Sequence, residues 1–184
     1  MIPSIQPEAT PPQSQLTRRS RIRAVALLGL MIGLSIALLQ VDFAAFGDYG
    51  YLGLFVIVLL GNATVLVPAP AFVAAFAAGR SLNPWLVGVV SGVGAGLGET
   101  TGYLVGRAGR AAFGQNPRFI RITAAVERWG AYAVFFFAAI PNPLMDVAGM
   151  AAGVLQMPWW KYLVACCAGK IVRFTVLALI GNAT

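Results

Sequence analysis

Four ionisable residues stand inside otherwise apolar stretches of this chain: Glu99, Asp146, Lys170 and Arg173. Charge in such surroundings is costly, so it usually faces a cavity or a partner. A carboxylate there can exchange a proton, and a lysine or arginine can attract a phosphate. Lys170 and Arg173 are three residues apart, so on a helix they share a face. At ~1.5 Å per residue, Lys170 falls about 18 Å from Pro158, near the middle of a ~30 Å hydrocarbon core. Asp146 comes just past the proline pair of "IPNPLMDVAG", also near mid-depth. The expectation is that Asp146 pairs with Lys170 or Arg173. Glu99 lies about 10 Å from the nearer end of its helix by the same rise, too shallow for easy pairing with Arg173. Tyr103, four residues on, is its closer neighbour. An ion pair of this kind either neutralises itself and fixes packing, or marks a binding point for a phosphate head group or a proton.

The residue types exclude much else. With no histidine, 2 cysteines and 6 carboxylates, a Ser-His-Asp triad is impossible and a zinc site lacks ligands. Cys166 and Cys167 are adjacent, a spacing that strains a disulfide, and they read as small packing residues. No enzyme, metal or cofactor is expected. The net charge of +7 comes from arginines beside apolar runs, at Arg18, Arg19, Arg21 and Arg23 and again from Arg107 to Arg128. That pattern sets membrane orientation and contact with anionic lipid, and nothing in it suggests a nucleic-acid platform.

The chain is 59% hydrophobic and 10% charged, where a soluble domain carries about 25% charged residues. Its mean hydropathy is +0.79. These values point to an all-α integral membrane protein with one membrane domain, residues 18–184, behind a disordered tail, residues 1–17. Residues 24–41 read as a retained transmembrane helix rather than a signal peptide, with its N-terminus in the cytoplasm. Residues 49–79 are interrupted by "NAT" and "PAP", with Pro68 and Pro70 breaking the helix. Both arms fall short of the ~20 residues a crossing needs, so a re-entrant hairpin is expected. Residues 83–106 form a crossing helix, in which Gly94, Gly98, Gly102 and Gly106 make a groove for a neighbour. Residues 107–129 form an amphipathic cytoplasmic link lying on the membrane surface. Residues 130–156 are a second hairpin, broken at Pro141 and Pro143, and residues 158–181 cross again.

The two hairpins echo each other. "VPAP" at Val67–Pro70 matches "IPNP" at Ile140–Pro143, and each is followed by a small-residue arm ending at Gly79 or Gly153. Pro84–Trp85 and Pro158–Trp159 each come five residues past that glycine. A hairpin plus one crossing, used twice, makes the second copy enter from the opposite side, giving an inverted repeat of the kind transporters use. This topology also keeps the Arg-rich link inside. Asn62 and Asn142 are placed to bond backbone groups freed beside the prolines, or to touch a ligand. Trp85, Trp159 and Trp160 read as interface anchors.

The segment "GETTGYLVGRAGR", Gly98–Arg110, resembles the Gly-Asp/Glu-x-x-Gly-Tyr-x-x-Gly-Arg motif of the DedA (VTT, or SNARE-associated Golgi protein) family. The likeness runs through "PAP", "AAG" and "IPNPLMDVAG" to the last crossing, roughly Tyr49 to Gly181. Glu99, Tyr103 and Arg107 match the motif, while Asp146 suits a divergent branch. The acidic residues typical of the first proline knot and the arginines typical of the second are absent. The resemblance implies opposed re-entrant hairpins in a small bundle. It also implies a flippase or scramblase for a phosphate-bearing lipid, such as undecaprenyl phosphate or a phospholipid, in a bacterial or archaeal plasma membrane. A proton-coupled small-solute transporter and a non-transporting scaffold are the alternatives. The partners expected are membrane lipids, an anionic head group and protons, with a homo-oligomer open. The candidate pathway is Asn62, Glu99, Tyr103, Arg107, Asn142, Asp146, Lys170 and Arg173.

Overall fold

The structure, a computed structural model, describes residues 18–47, 49–63, 69–109, 117–141 and 144–184, with side chains from residue 25 onward. The expected tail of residues 1–17, the turn residues Pro68 and Pro143, and Asn142 lie outside the described residues. The described chain is helical, without strands: α1 (Arg18–Leu39), α2 (Tyr49–Ala63), α3 (Ala69–Ser81), α4 (Pro84–Ala108), α5 (Pro117–Trp129), α6 (Ala131–Ala139), α7 (Leu144–Val154) and α8 (Trp159–Asn182). A single 3-10 turn, Phe43–Phe46, joins α1 to α2.

Local chemistry sets the helix ends. The Asn83 side chain accepts from the backbone N–H of Trp85 and Leu86, and Pro84 occupies the first turn, where its missing N–H costs nothing. Ile140 is extended (φ −88°, ψ 134°), as the ring of the following Pro141 favours, and α6 stops there. Past α7 the chain turns through Gln156 at φ 54°, a left-handed conformation unusual for a residue with a Cβ. The Met157 N–H donates to the Ala152 carbonyl at 3.0 Å, closing a Schellman-type cap. The Tyr103 hydroxyl donates to the Met157 carbonyl at 2.6 Å and pins the same turn to α4.

The arms around the proline segments are short. The 15, 13, 9 and 11 residues of α2, α3, α6 and α7 reach at most about 22 Å each. Each pair, α2 with α3 and α6 with α7, folds back on itself. Among the described residues only α8 is both long enough and apolar enough to cross a membrane by length and composition. The 25-residue α4 is also long, but it is rich in glycine and carries Glu99 and Arg107.

α4 and α8 form the central pair, antiparallel, with Gly88, Gly92 and Gly96 of α4 against Thr175, Ile171 and Cys167 of α8. A Cβ at any of these three glycines would overlap α8, so the close approach depends on their absence. The glycine groove expected at positions 94 to 106 is split. Gly94 and Gly98 seat α2 at Phe55 and Leu59, Gly106 seats α7 at Met150, and Gly102 has ordinary room.

The two halves embrace each other. α3 packs on α8, the long helix of the other half, and α7 packs on α4. Gly79 of α3 abuts Ala178 where Gly153 of α7 abuts Tyr103, and Gly181 abuts Phe76 where Gly106 abuts Met150. These reciprocal contacts, at positions that match to within one residue, show the two repeat units making equivalent contacts with each other. α5 lays Ile122 and Val126 on α6 and α7 and turns Arg121, Glu127 and Arg128 outward. The exterior of the bundle is apolar: Leu30, Leu60, Leu104, Phe136 and Val176 are each more than half exposed on five different helices. Apolar surface on this scale needs a cover other than water.

Candidate functional site

The centre of the bundle holds one lysine. Lys170, 3% exposed, projects from α8 and meets Glu99, 5% exposed, from α4. The Nζ–Oε2 distance is 2.5 Å. Its second partner is Asn62 at the end of α2, whose Oδ1 accepts at 2.8 Å. The Asn62 amide donates in turn to the Val58 carbonyl at 2.9 Å, so both ends of that side chain are used. Three helices thus converge on one ammonium group. A buried cation held by one carboxylate and one amide is neutralised and oriented, and removing either partner exposes the desolvation cost of what remains.

The pairing departs from the sequence expectation. Asp146 forms no ion pair with Lys170 or Arg173; Lys170 is taken by Glu99. The α4–α8 register explains it. With Gly92 opposite Ile171, Lys170 falls level with Val93, about 9 Å along the axis from Glu99. Side chains lean toward the N-terminus of their own helix. In an antiparallel pair, the two therefore lean toward each other and close the gap. Depth along each helix alone, without the lean of the side chains, does not reveal this pairing.

Asp146 sits half-buried in the first turn of α7, in electrostatic range of Glu99, Lys170 and Arg173. The Glu99 Oε1 atom is buried and has no hydrogen-bond partner among the described residues.

Tyr103 is not a partner of the Glu99 side chain. Its hydroxyl donates to the Met157 carbonyl and accepts from the Arg107 guanidinium at 2.8 Å. Its ring stacks on Tyr162, with centroids 4.9 Å apart. The Tyr162 hydroxyl donates to the Glu99 backbone carbonyl at 3.2 Å. Tyr103 and Arg107 therefore brace α4 against the turn before α8, and Tyr162 links that brace to the Lys170 node. Nothing in the apolar run around Tyr162 singled it out beforehand.

Arg173 belongs to a third place. It lies one turn beyond Lys170, and its guanidinium carbon stands 4.2 Å from the centroid of the Phe72 ring. Phe72 stacks on Phe174 with centroids 5.5 Å apart. The Arg173 Nε is buried without a hydrogen-bond partner among the described residues. A cavity of about 340 Å³ opens beside it, lined by Phe72, Ala139, Pro141, Val172, Arg173, Val176, Leu177 and Ile180. Phe72 comes two residues after Pro70, and Pro141 begins the second proline segment, so both halves contribute to one cavity.

The VTT domain family matches residues 67–183, most of the chain. The chain belongs to the VTT domain family. It is similar to the vacuole membrane protein 1 homolog of Dictyostelium discoideum, 38% identical over 52 residues, which cover 28% of this chain and 13% of that protein. The vacuole membrane proteins KMS2 and KMS1 of Arabidopsis thaliana are 24% identical over 103 residues and 25% identical over 117. Those matches cover 46% and 52% of this chain, and 25% and 28% of the plant proteins. The chain thus spans only about a quarter or less of these relatives' lengths. No solved structure matches it. Its apolar exterior and its relatives together make this VTT-domain chain a membrane protein. The domain's matched region contains the ion pair, the tyrosine brace and the Arg173 cavity; Asn62 lies just before it.

Proposed function

We propose that this VTT-domain protein moves a phosphate-bearing lipid between leaflets, as a flippase or scramblase. The observation that carries the reading is that Phe72 and Pro141, from the two proline-broken hairpins, line the same cavity beside a cation. In this reading α2–α3 and α6–α7 are re-entrant hairpins entering from opposite sides, an inverted repeat. Their broken backbone is tolerated at membrane depth because the α4–α8 pair and the cavity surround it. The short arms support re-entry, since none reaches ~30 Å. The N-terminus is then cytoplasmic, and α5 lies on the cytoplasmic surface with its arginines in the head-group layer. A bacterial or archaeal plasma membrane is the proposed location, and transport without covalent chemistry the proposed activity.

A proton-coupled transporter is the second reading, favoured by Asp146 lying in electrostatic range of Glu99. Liposomes containing the full chain and a fluorescent phospholipid on both leaflets separate these. A reductant added outside quenches about half the signal if lipid stays put, and nearly all of it if lipid crosses. Crossing that ignores a pH gradient supports a scramblase, and crossing driven by the gradient supports coupling. Absence of crossing for phospholipid and polyprenyl phosphate alike overturns the lipid reading.

A further inference from the structure

The proposed lipid transport leaves open where the charged head group would sit, and the two central cations are not equivalent. Lys170 is sealed, with Glu99 and Asn62 as its partners and no lining atom in the cavity. Arg173 is the opposite case. Its guanidinium rests on an aromatic face, and among the described residues its Nε has no hydrogen-bond partner and no carboxylate pairs with it. Glu99 and Asp146 act on it only through space. An arginine stacked on a phenylalanine keeps the edges of its planar fork free for an oxyanion.

The cavity beside Arg173 has the shape chemistry of an amphiphile site. Its remaining lining is apolar, and three of the lining residues, Val172, Val176 and Ile180, are 48%, 53% and 53% exposed on the outside of α8. A chain can therefore leave sideways along an apolar helix face while a head group stays inside. A free inorganic ion gains nothing from such walls, and a neutral lipid gains nothing from the guanidinium.

We infer that the cavity formed by Phe72, Pro141 and the α8 face around Arg173 is a binding site for a lipid phosphate: Arg173 holds the oxyanion, and Val172, Val176 and Ile180 guide its hydrocarbon chain. The site rests on the lipid-transport reading only for its purpose; its occupancy is a separate fact. The occupant is a membrane amphiphile. Its charge matches Arg173, a central cation without a carboxylate partner among the described residues, and its chain matches the exposed apolar exit.

The test uses the purified full chain in a neutral maltoside detergent, titrated with dodecyl phosphate while thermal unfolding is followed. Dodecanol and inorganic phosphate serve as controls. The expected result is saturable stabilisation by dodecyl phosphate alone. Arg173→Gln should weaken the apparent affinity about tenfold or more, as for loss of a charge-assisted bidentate contact, and Arg173→Lys should retain part of it. Val176→Phe, at an exposed position, narrows the mouth without touching the charge and should also weaken binding. It keeps the test decisive if the Arg173 variants do not fold. A response to dodecyl phosphate equal to that of wild type in both Arg173→Gln and Val176→Phe overturns the site, as does stabilisation of wild type by inorganic phosphate or dodecanol to the same extent. If wild type binds dodecyl phosphate through Arg173 but moves no lipid in liposomes, the site stands and the transport reading falls. If lipid moves but Arg173→Gln binds as wild type does, the reverse holds.

Discussion

The half built from α2, α3 and α4 and the half built from α6, α7 and α8 share a scaffold and differ in chemistry. Counted forward equally from Pro84 and Pro158, Glu99 stands where Arg173 does, and Gly96 stands where Lys170 does. Each of the first pair faces the opening turn of the other half's second arm: Glu99 is near Asp146 of α7, and Arg173 is on Phe72 of α3. Under this count Gly79 coincides with Gly153, and Gly106 matches Gly181 to within one residue, while Glu99 and Arg173 carry opposite charge. A repeat preserves what backbone contact demands, since any Cβ at Gly79 or Gly153 would strike the same kind of neighbour. It leaves side chains at the centre free to diverge. One matched position has become a sealed ion pair, and the other an open cation.

The sharpest way to break this contrast is to unseal the first site. Lys170→Met leaves Glu99 buried without its partner and should cost about 3–5 kcal/mol, seen as loss of folded protein or a large fall in melting temperature. Adding Glu99→Gln should restore most of it. If the double variant is no better than the single one, the pair is not coupled as described. Glycine substitutions come next. Gly79→Ala and Gly153→Ala should destabilise about equally, by about 1–3 kcal/mol each, while Gly102→Ala should be nearly neutral because its neighbour is 3.9 Å away. Unequal losses at the first two positions, measured by thermal unfolding, would break the reciprocity of these contacts. Tyr162→Phe removes one hydrogen bond to the Glu99 carbonyl and should cost about 0.5–1.5 kcal/mol; an unchanged melting temperature would detach the brace from the ion pair. Gln156→Gly should stabilise slightly, by up to about 1 kcal/mol, by relieving a left-handed residue that has no matched counterpart in the first half. A lower melting temperature in that variant would mean the glutamine side chain contributes more than its backbone costs.

Much of this architecture was written in punctuation and spacing. Prolines at 84, 141 and 158 and the asparagine at 83 mark helix ends because they lack a donor or supply a cap, which are local effects. The amphipathic α5 followed from the placement of its arginines against Ile122 and Val126. The glycine stripe at 94 to 106 announced close packing but not its partners, because a missing Cβ fits any helix. The equally regular stripe at 88, 92 and 96 seats the central pair.

By itself, then, the sequence determined a helical, apolar chain with an internal repeat and a few charges that apolar surroundings would force to find company. Those are consequences of composition and of interactions within a few residues. It did not determine which company. Whether Lys170 meets Asp146 or Glu99 depends on the register of α4 against α8, set by three glycine contacts over about two turns of the interface. A shift of one turn there moves every side chain by about 5.4 Å, more than the span of an ion pair. Only the tertiary structure fixes that register, and with it the difference between a lysine that is closed in and an arginine that is left open.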